Sequence, residues 1–190
     1  NEHAHKNRRE AGVMPKIINN LEENILSAAR RLVAEQGYAA VTMRAIAKEC
    51  GIAVGTFYNY YPSKDAMLAA CLLHDWQTAL ASAGERTAAA QSAEEAVGAV
   101  FDAVRAFQEQ NRSIFSDEGA RSSAAGALQS RHAQLRAQIA GLREGPCRRF
   151  SDAPDAAFLA EFAAESILSW SGTDISFPQL WTLLKRLFIK

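Results

Sequence analysis

Cysteine is scarce in this chain. Cys50, Cys71 and Cys147 are an odd number at wide spacings with no CxxC, which excludes a disulfide framework and a cysteine-based zinc site. They are expected to be small buried hydrophobes in a protein of a reducing compartment. Only 5 prolines and 11 glycines occur in 190 residues, so a collagen-like or largely disordered chain is excluded. No apolar run approaches the roughly 18 residues of a membrane span, and the N-terminal NEHAHKNRRE is polar where a signal peptide has an apolar segment. The expectation is a cytoplasmic protein without membrane contact. Charge of one sign is also missing: 21 basic residues balance 21 acidic ones, so no global field draws the molecule to a polyanion. The four histidines, His3, His5, His74 and His132, show no metal-ligand spacing, and no GxSxG, HExxH or glycine-rich phosphate loop is present. No catalytic residue, metal or cofactor is therefore expected, and an enzyme is disfavoured.

Alanine is abundant, at 37 of 190 residues, which favours helices over strands. The length suits one domain, or a small domain fused to a larger one, and allows about 70% of the unfolded surface to be buried without a staple. Up to Ala66 there are 9 Lys/Arg against 7 Asp/Glu, and beyond it 12 against 14, a slight basic bias at the N-terminus.

Residues 1–16 lack apolar periodicity and carry Lys6, Arg8, Arg9 and Lys16; they read as a mobile arm, either solvated charge or a reach toward a minor groove. From Ile17, the residues Leu21, Ile25, Ala28, Leu32 and Val33 recur at helical spacing, and Gly37 is a natural stop. Thr42 is placed to cap a short helix, Met43 to Cys50, ended by Gly51. A third helix spans Val54 to Tyr60. Pro62 then forbids continuation, and Ser63 caps a fourth helix running from Lys64 through Trp76. Two short helices joined by a glycine turn describe a helix-turn-helix.

The run TMRAIAKECGIAVGTFYNYYPSKDAMLAA, Thr42 to Ala70, resembles the DNA-binding signature of the TetR (tetracycline-repressor-like) family of bacterial transcriptional regulators. Gly51, Ile52, Thr56, Phe57, Tyr58, Tyr60, Tyr61, Ser63, Lys64, Asp65, Met67 and Leu68 fall on the family pattern in order. With the first helix, the resemblance covers about Ile17 to Leu73. Ala53 departs from it, standing where the family has Ser or Thr, so the third helix lacks a hydroxyl cap. The resemblance implies an all-α protein of about nine helices. Residues 17–62 would form a three-helix DNA-binding domain, and residues 63–190 a ligand-binding and dimerisation domain. It also implies a repressor that binds a palindromic double-stranded DNA operator as a homodimer and responds to a small, largely apolar effector.

Gly55 lowers the helix propensity of a seven-residue helix by about 1 kcal/mol relative to Ala, so something other than helix stability selects it. A residue without a side chain allows close approach to a DNA backbone or base edge. Val54, Thr56, Tyr58, Asn59 and Tyr60 stand beside it as DNA-contact candidates. Phe57 and Tyr61 should point inward. Lys64 is an unusual charge for the positive end of a helix dipole, and the resemblance implies a phosphate contact there. Thr42 and Arg44 are candidates for phosphate contact too; a structural cap and a solvated charge are equally open readings.

In the C-terminal part, Ser92 and Glu95 form a capping box before a stripe of Val97, Val100, Phe101, Val104 and Phe107. After a break at Ser116 to Gly119, a long segment carries Leu128, Leu135, Ile139 and Leu142 until Gly145 and Pro146 end it. Another helix begins near Pro154 and runs to Gly172. The last opens on Ser176 and Gln179, a second capping box. An effector pocket would draw on Trp76, Phe101, Phe107, Phe115 and His132, with His74, Gln108 and Gln129 as further polar anchors; core packing explains the aromatics equally well. In the family resembled, the last two helices pair across a two-fold axis, with Phe158, Phe162, Ile167, Leu180, Trp181, Leu184 and Phe188 as candidates here. The alternative is that both faces are internal to one chain. A ligand-binding or interaction protein that has lost DNA binding is the rival reading, which Ala53 and the neutral charge favour.

Overall fold

A computed structural model describes residues 20–120, 122, 132–150 and 156–188. The arm at 1–16, together with Ile17, Leu128, Gln129 and Pro154, lies outside the described residues. Among the described residues there is no strand, and nine helices have both ends described: α1 (Leu21–Gln36), α2 (Met43–Glu49), α3 (Val54–Tyr60), α4 (Lys64–Ala89), α5 (Ala93–Gln110), α6 (Arg112–Ser116), α7 (His132–Phe150), α8 (Ala156–Trp170) and α9 (Phe177–Phe188); residues 118–120 and 122 are helical as well.

Local chemistry sets the boundaries. Gly37 ends α1 at φ 78°, with its N–H on the Val33 carbonyl at 3.0 Å. Thr42 Oγ1 accepts from Ala45 N at 3.1 Å, Ser63 Oγ from Ala66 N at 3.0 Å and Ser92 Oγ from Glu95 N at 3.1 Å, so three N-termini carry side-chain caps. At the second capping box, Gln179 Oε1 accepts from Ser176 N at 2.9 Å, the back-reaching half of the motif.

Three elements differ from the periodicity reading. Helix α4 runs to Ala89, thirteen residues past Trp76 and through Gly84, because no proline lies between them and Met67, Leu68, Cys71, Leu72, Trp76 and Ala83 bury one continuous face. Helix α6 is a separate short turn, since Asn111 ends α5 and its buried side chain donates back to the Phe107 carbonyl at 3.0 Å. Helix α7 does not end at Gly145 and Pro146 but continues to Phe150. A helical proline forfeits one backbone hydrogen bond, and lateral packing against α8, the most extensive helix pairing among the described residues, outweighs local propensity.

The apolar cluster is continuous from Ile25 in α1 to Leu184 in α9. Helices α4 and α5 form a hairpin, braced outside by Arg86 to Asp102 at 2.8 Å. Helix α8 packs against α7, and its Ala160, Ala163 and Ala164 are buried, small residues of the kind that let helix axes approach. Gly98 of α5 serves the same end: a Cβ there would sit 3.1 Å from the Phe177 ring, which stacks in turn on Trp181.

Helix α1 is tied to α4 by a buried ion pair. Arg30 Nη2 lies 2.9 Å from Asp75 Oδ1, and the Asp75 side chain is 2% exposed. Beside it Cys71 is buried, and desolvation pushes its thiol up to about 12, so it acts as a small hydrophobe and not as a nucleophile. Cys50 is half-buried, and the side chain of Cys147 is outside the described residues.

Candidate nucleic-acid interface and effector cavity

Helix α3 is held by two aromatics and presents the rest. Phe57 is fully buried and Tyr61 nearly so, their rings 5.9 Å apart, while Tyr58 and Tyr60 are 51% and 44% exposed. Tyr61 donates its hydroxyl to Glu22 of α1 at 3.2 Å, and burial together with that carboxylate raises its pKa. Gly55 and Asn59 are exposed, and Val54 and Thr56 half-buried. A Cβ at Gly55 would meet nothing within 4 Å, so the chain's own packing gives no reason for glycine there. At Gly51 the reason is internal, a φ of 67° that side chains rarely adopt.

Ala53 occupies the N-cap of α3 in an extended conformation (φ −68°, ψ 144°) with no side-chain cap. It is exposed, so a serine has room. Ala53→Ser should stabilise the protein by about 1 kcal/mol, raising the midpoint of thermal unfolding by roughly 2–4 °C in calorimetry. An unchanged midpoint would mean that the cap is not limiting.

Thr42 and Arg44 are exposed at the start of α2, although the Thr42 oxygen is occupied as a cap. Lys64 sits differently from the phosphate role implied for it. Its ammonium donates to the carbonyls of Tyr38 at 2.8 Å and Val41 at 3.2 Å and lies 4.1 Å from the Tyr38 ring centroid. The lysine at this helix start is explained by the carbonyls of the α1–α2 turn, which no local sequence signal reveals. Tyr38 itself donates its hydroxyl to Asp65 and its backbone N–H to Asp117 Oδ2 at 2.9 Å. The amides of Ala120 and Tyr38 hold the Asp117 carboxyl below its ordinary range.

A cavity of about 410 Å³ lies between α4, α5, α6, α7 and α8. Trp76, Phe107, Phe115, Val104, Leu135 and Leu168 supply its apolar wall, and Gln108, Arg112 and Gly172 its one polar end. Trp76, Phe107 and Phe115 form a chain of edge-on contacts, with centroids 5.3 and 5.9 Å apart. Phe101 is not in this wall; it is buried 5.6 Å from Phe177, three residues and nearly one turn from Val104. His74 is exposed and 3.5 Å from Asp75, away from the cavity. For His132 only the backbone is described, within α7. Arg112, Leu168 and Gly172 escaped the sequence reading, though Val104, Gln108 and Arg112 follow one another at i, i+4 spacing.

The dimerisation candidates divide. Ile167, Leu180, Trp181 and Leu184 are buried within the chain, so the internal-face alternative holds for them: they fill the junction of α8, α9 and α5. Phe158 and Phe162 are 67% and 47% exposed, and Trp170 and Leu183 share that exposure at 47% and 67%. Phe158, Phe162 and Trp170 lie on one i, i+4 row of α8, completed by Ser166. For Phe188 only the backbone is described. Among the described residues no group of three His, Cys, Asp or Glu could hold a metal ion, and no helix is long and apolar enough to cross a membrane.

The family model described as "Bacterial regulatory proteins, tetR family" matches residues 25–71. The chain is 44% identical over 57 residues to the HTH-type transcriptional regulator UidR of Escherichia coli K12, a match covering 30% of this chain and 29% of that protein. It is 42% identical over 55 residues to the HTH-type transcriptional repressor KstR of Rhodococcus jostii, covering 29% and 26%. The matches thus span under a third of these curated relatives. In three dimensions the chain resembles a TetR-family transcriptional regulator from Streptomyces coelicolor, with a TM-score of 0.61 and 19% identity over 89% of this chain and 99% of that one. Residues 25–71 thus match the N-terminal domain of the tetR family of bacterial regulatory proteins, and the chain as a whole shares the all-helical fold of a solved regulator of that family.

Proposed function

We propose that this chain is a cytoplasmic transcriptional repressor that binds a palindromic operator as a homodimer and releases it when a small, largely apolar molecule enters the cavity. Residues 17–62 serve DNA and residues 63–190 the ligand and the partner copy. The observation that carries the reading is the outer face of α3, where Tyr58, Asn59 and Tyr60 are exposed beside a glycine that no described neighbour requires. Val54 and Thr56 complete the face that would enter a major groove, and Thr42 and Arg44 would meet phosphates at its edge. The exposed row of Phe158, Phe162 and Trp170, with Leu183, supplies an apolar centre for an interface needing about 800 Å² per partner. Release follows if the ligand prefers a conformation in which the two α3 copies no longer match the operator spacing, and linkage then requires DNA to weaken the ligand by the same factor.

Selection of duplexes from a random pool, with light scattering on the same preparation, tests this. The expected result is an inverted repeat with half-sites about one helical turn, roughly 34–36 Å, or somewhat more apart, bound by a particle of two chains. Phe162→Glu should return the particle to one chain. Enrichment of no sequence would leave a ligand-binding protein of the same fold without DNA binding, and a wild-type mass of one chain would remove the dimer.

A further inference from the structure

The cavity between α4 and α8 is apolar on every side but one, and that side carries a guanidinium and a side-chain amide. Arg112 is the single charged residue in its lining. Among the described residues the Arg112 guanidinium has no carboxylate within 4 Å, unlike its neighbour Arg105, which Glu109 takes up at 3.6 Å. The second polar group there is Gln108. Its Oε1 accepts from Ser171 Oγ at 3.0 Å, which leaves the amide nitrogen beside Gly172 as a donor. The Trp76 indole N–H, the remaining donor in the wall, is already given to Gln138 Oε1 at 2.9 Å.

Resting on the reading of this cavity as the effector site, we propose that its ligand is a small amphipathic monoanion. Its apolar body lies among Trp76, Phe107, Phe115 and Leu135, and its acidic head accepts from Arg112 and Gln108. An anion at the edge of a low-dielectric chamber gains charge-assisted hydrogen bonds that a neutral analogue lacks, and a cation is repelled by the same guanidinium. The outer vestibule explains why one negative charge suits the site and two do not. Beyond Arg112 it contains the already paired Arg105 and Glu109 together with Asp174, whose carboxylate opposes a second negative charge. A volume of about 410 Å³ is near the lower end of small-molecule pockets, so the body is the size of a fused bicycle or a short chain and not a large conjugate.

The test uses two fluorescent probes with one body, 8-anilinonaphthalene-1-sulfonate and the uncharged N-phenyl-1-naphthylamine, titrated into the full chain. The anion should bind about tenfold more tightly than the neutral probe, and Arg112→Gln should bring that ratio close to one. Arg105→Gln removes an equal charge nearby and should leave the ratio within about twofold, since Arg105 is paired. Leu135→Trp, which fills the cavity from its half-buried wall, should weaken both probes several-fold. A wild-type ratio near one, or a ratio that survives Arg112→Gln, overturns the anionic head while leaving the cavity as a site. Failure of Leu135→Trp to weaken either probe, or no binding at all, overturns the cavity reading and the inference with it.

Discussion

Tyr58→Ala should weaken binding to the selected operator by about tenfold or more and leave the midpoint of thermal unfolding within about 2 °C of wild type. Tyr58 is 51% exposed, and its ring meets Phe57 edge-on with the centroids 6.4 Å apart. Its removal therefore opens no cavity, and surface truncations of this kind stay within about 0.5 kcal/mol. A side chain that reaches a base edge contributes about 1–3 kcal/mol of discrimination, which is where the tenfold comes from. Lys64→Ala provides the contrast. Its ammonium caps two carbonyls of the α1–α2 turn, so loss of operator binding should come together with loss of stability. Gel shifts at matched salt and calorimetry on both variants separate the cases, because phosphate contacts alone change affinity steeply with salt. Operator affinity unchanged in Tyr58→Ala would remove Tyr58 from the interface.

The largest effect on stability is expected at Arg30. With Arg30→Met the Asp75 carboxylate, 2% exposed and with Oδ2 already lacking a partner, remains buried without its guanidinium. Breaking a buried pair in this way costs about 3–5 kcal/mol, which for a chain of this length is a fall in unfolding midpoint of roughly 10 °C. Arg30→Met combined with Asp75→Leu should recover most of the loss, since the penalty belongs to the unpaired charge and not to a missing attraction. Urea denaturation of the two variants reads this directly. If the double variant is no more stable than the single one, the pair is a favourable contact in its own right. Since the pair joins α1 to α4, the same variants report whether the N-terminal helices depend on that joint for their stability.

Where local signals are strong, the chain is legible without coordinates. Helix α3 begins and ends where Ala53 and Pro62 place it, because a seven-residue helix between a glycine turn and a proline leaves no other register. The three hydroxyl caps at Thr42, Ser63 and Ser92 are likewise local, each side chain meeting an amide three residues on. The inward turn of Phe57 and Tyr61 follows from helical spacing alone. Elsewhere the pattern was present and its reading incomplete. Breaker residues argue for a stop at Gly145 and Pro146, yet α7 passes through them, since a helix packed against a neighbour tolerates what an isolated one does not.

Amino-acid order therefore accounts for the all-helical class, the helix-turn-helix and the face that α3 turns outward, all consequences of contacts within a few residues. Which large apolar side chains of α8 and α9 remain exposed is another matter. Ile167 and Phe162 are both apolar, and five residues apart, but one is buried against neighbouring helices and the other faces solvent. Periodicity identifies an apolar face and cannot say what covers it. The same holds for Lys64, whose partners lie 23 and 26 residues away, and for the donor end of the cavity, where Gln108 meets Ser171 across 63 residues. Contacts of that separation exist only once the helices have packed, because burial and charge pairing depend on neighbours in space and not on neighbours in the chain.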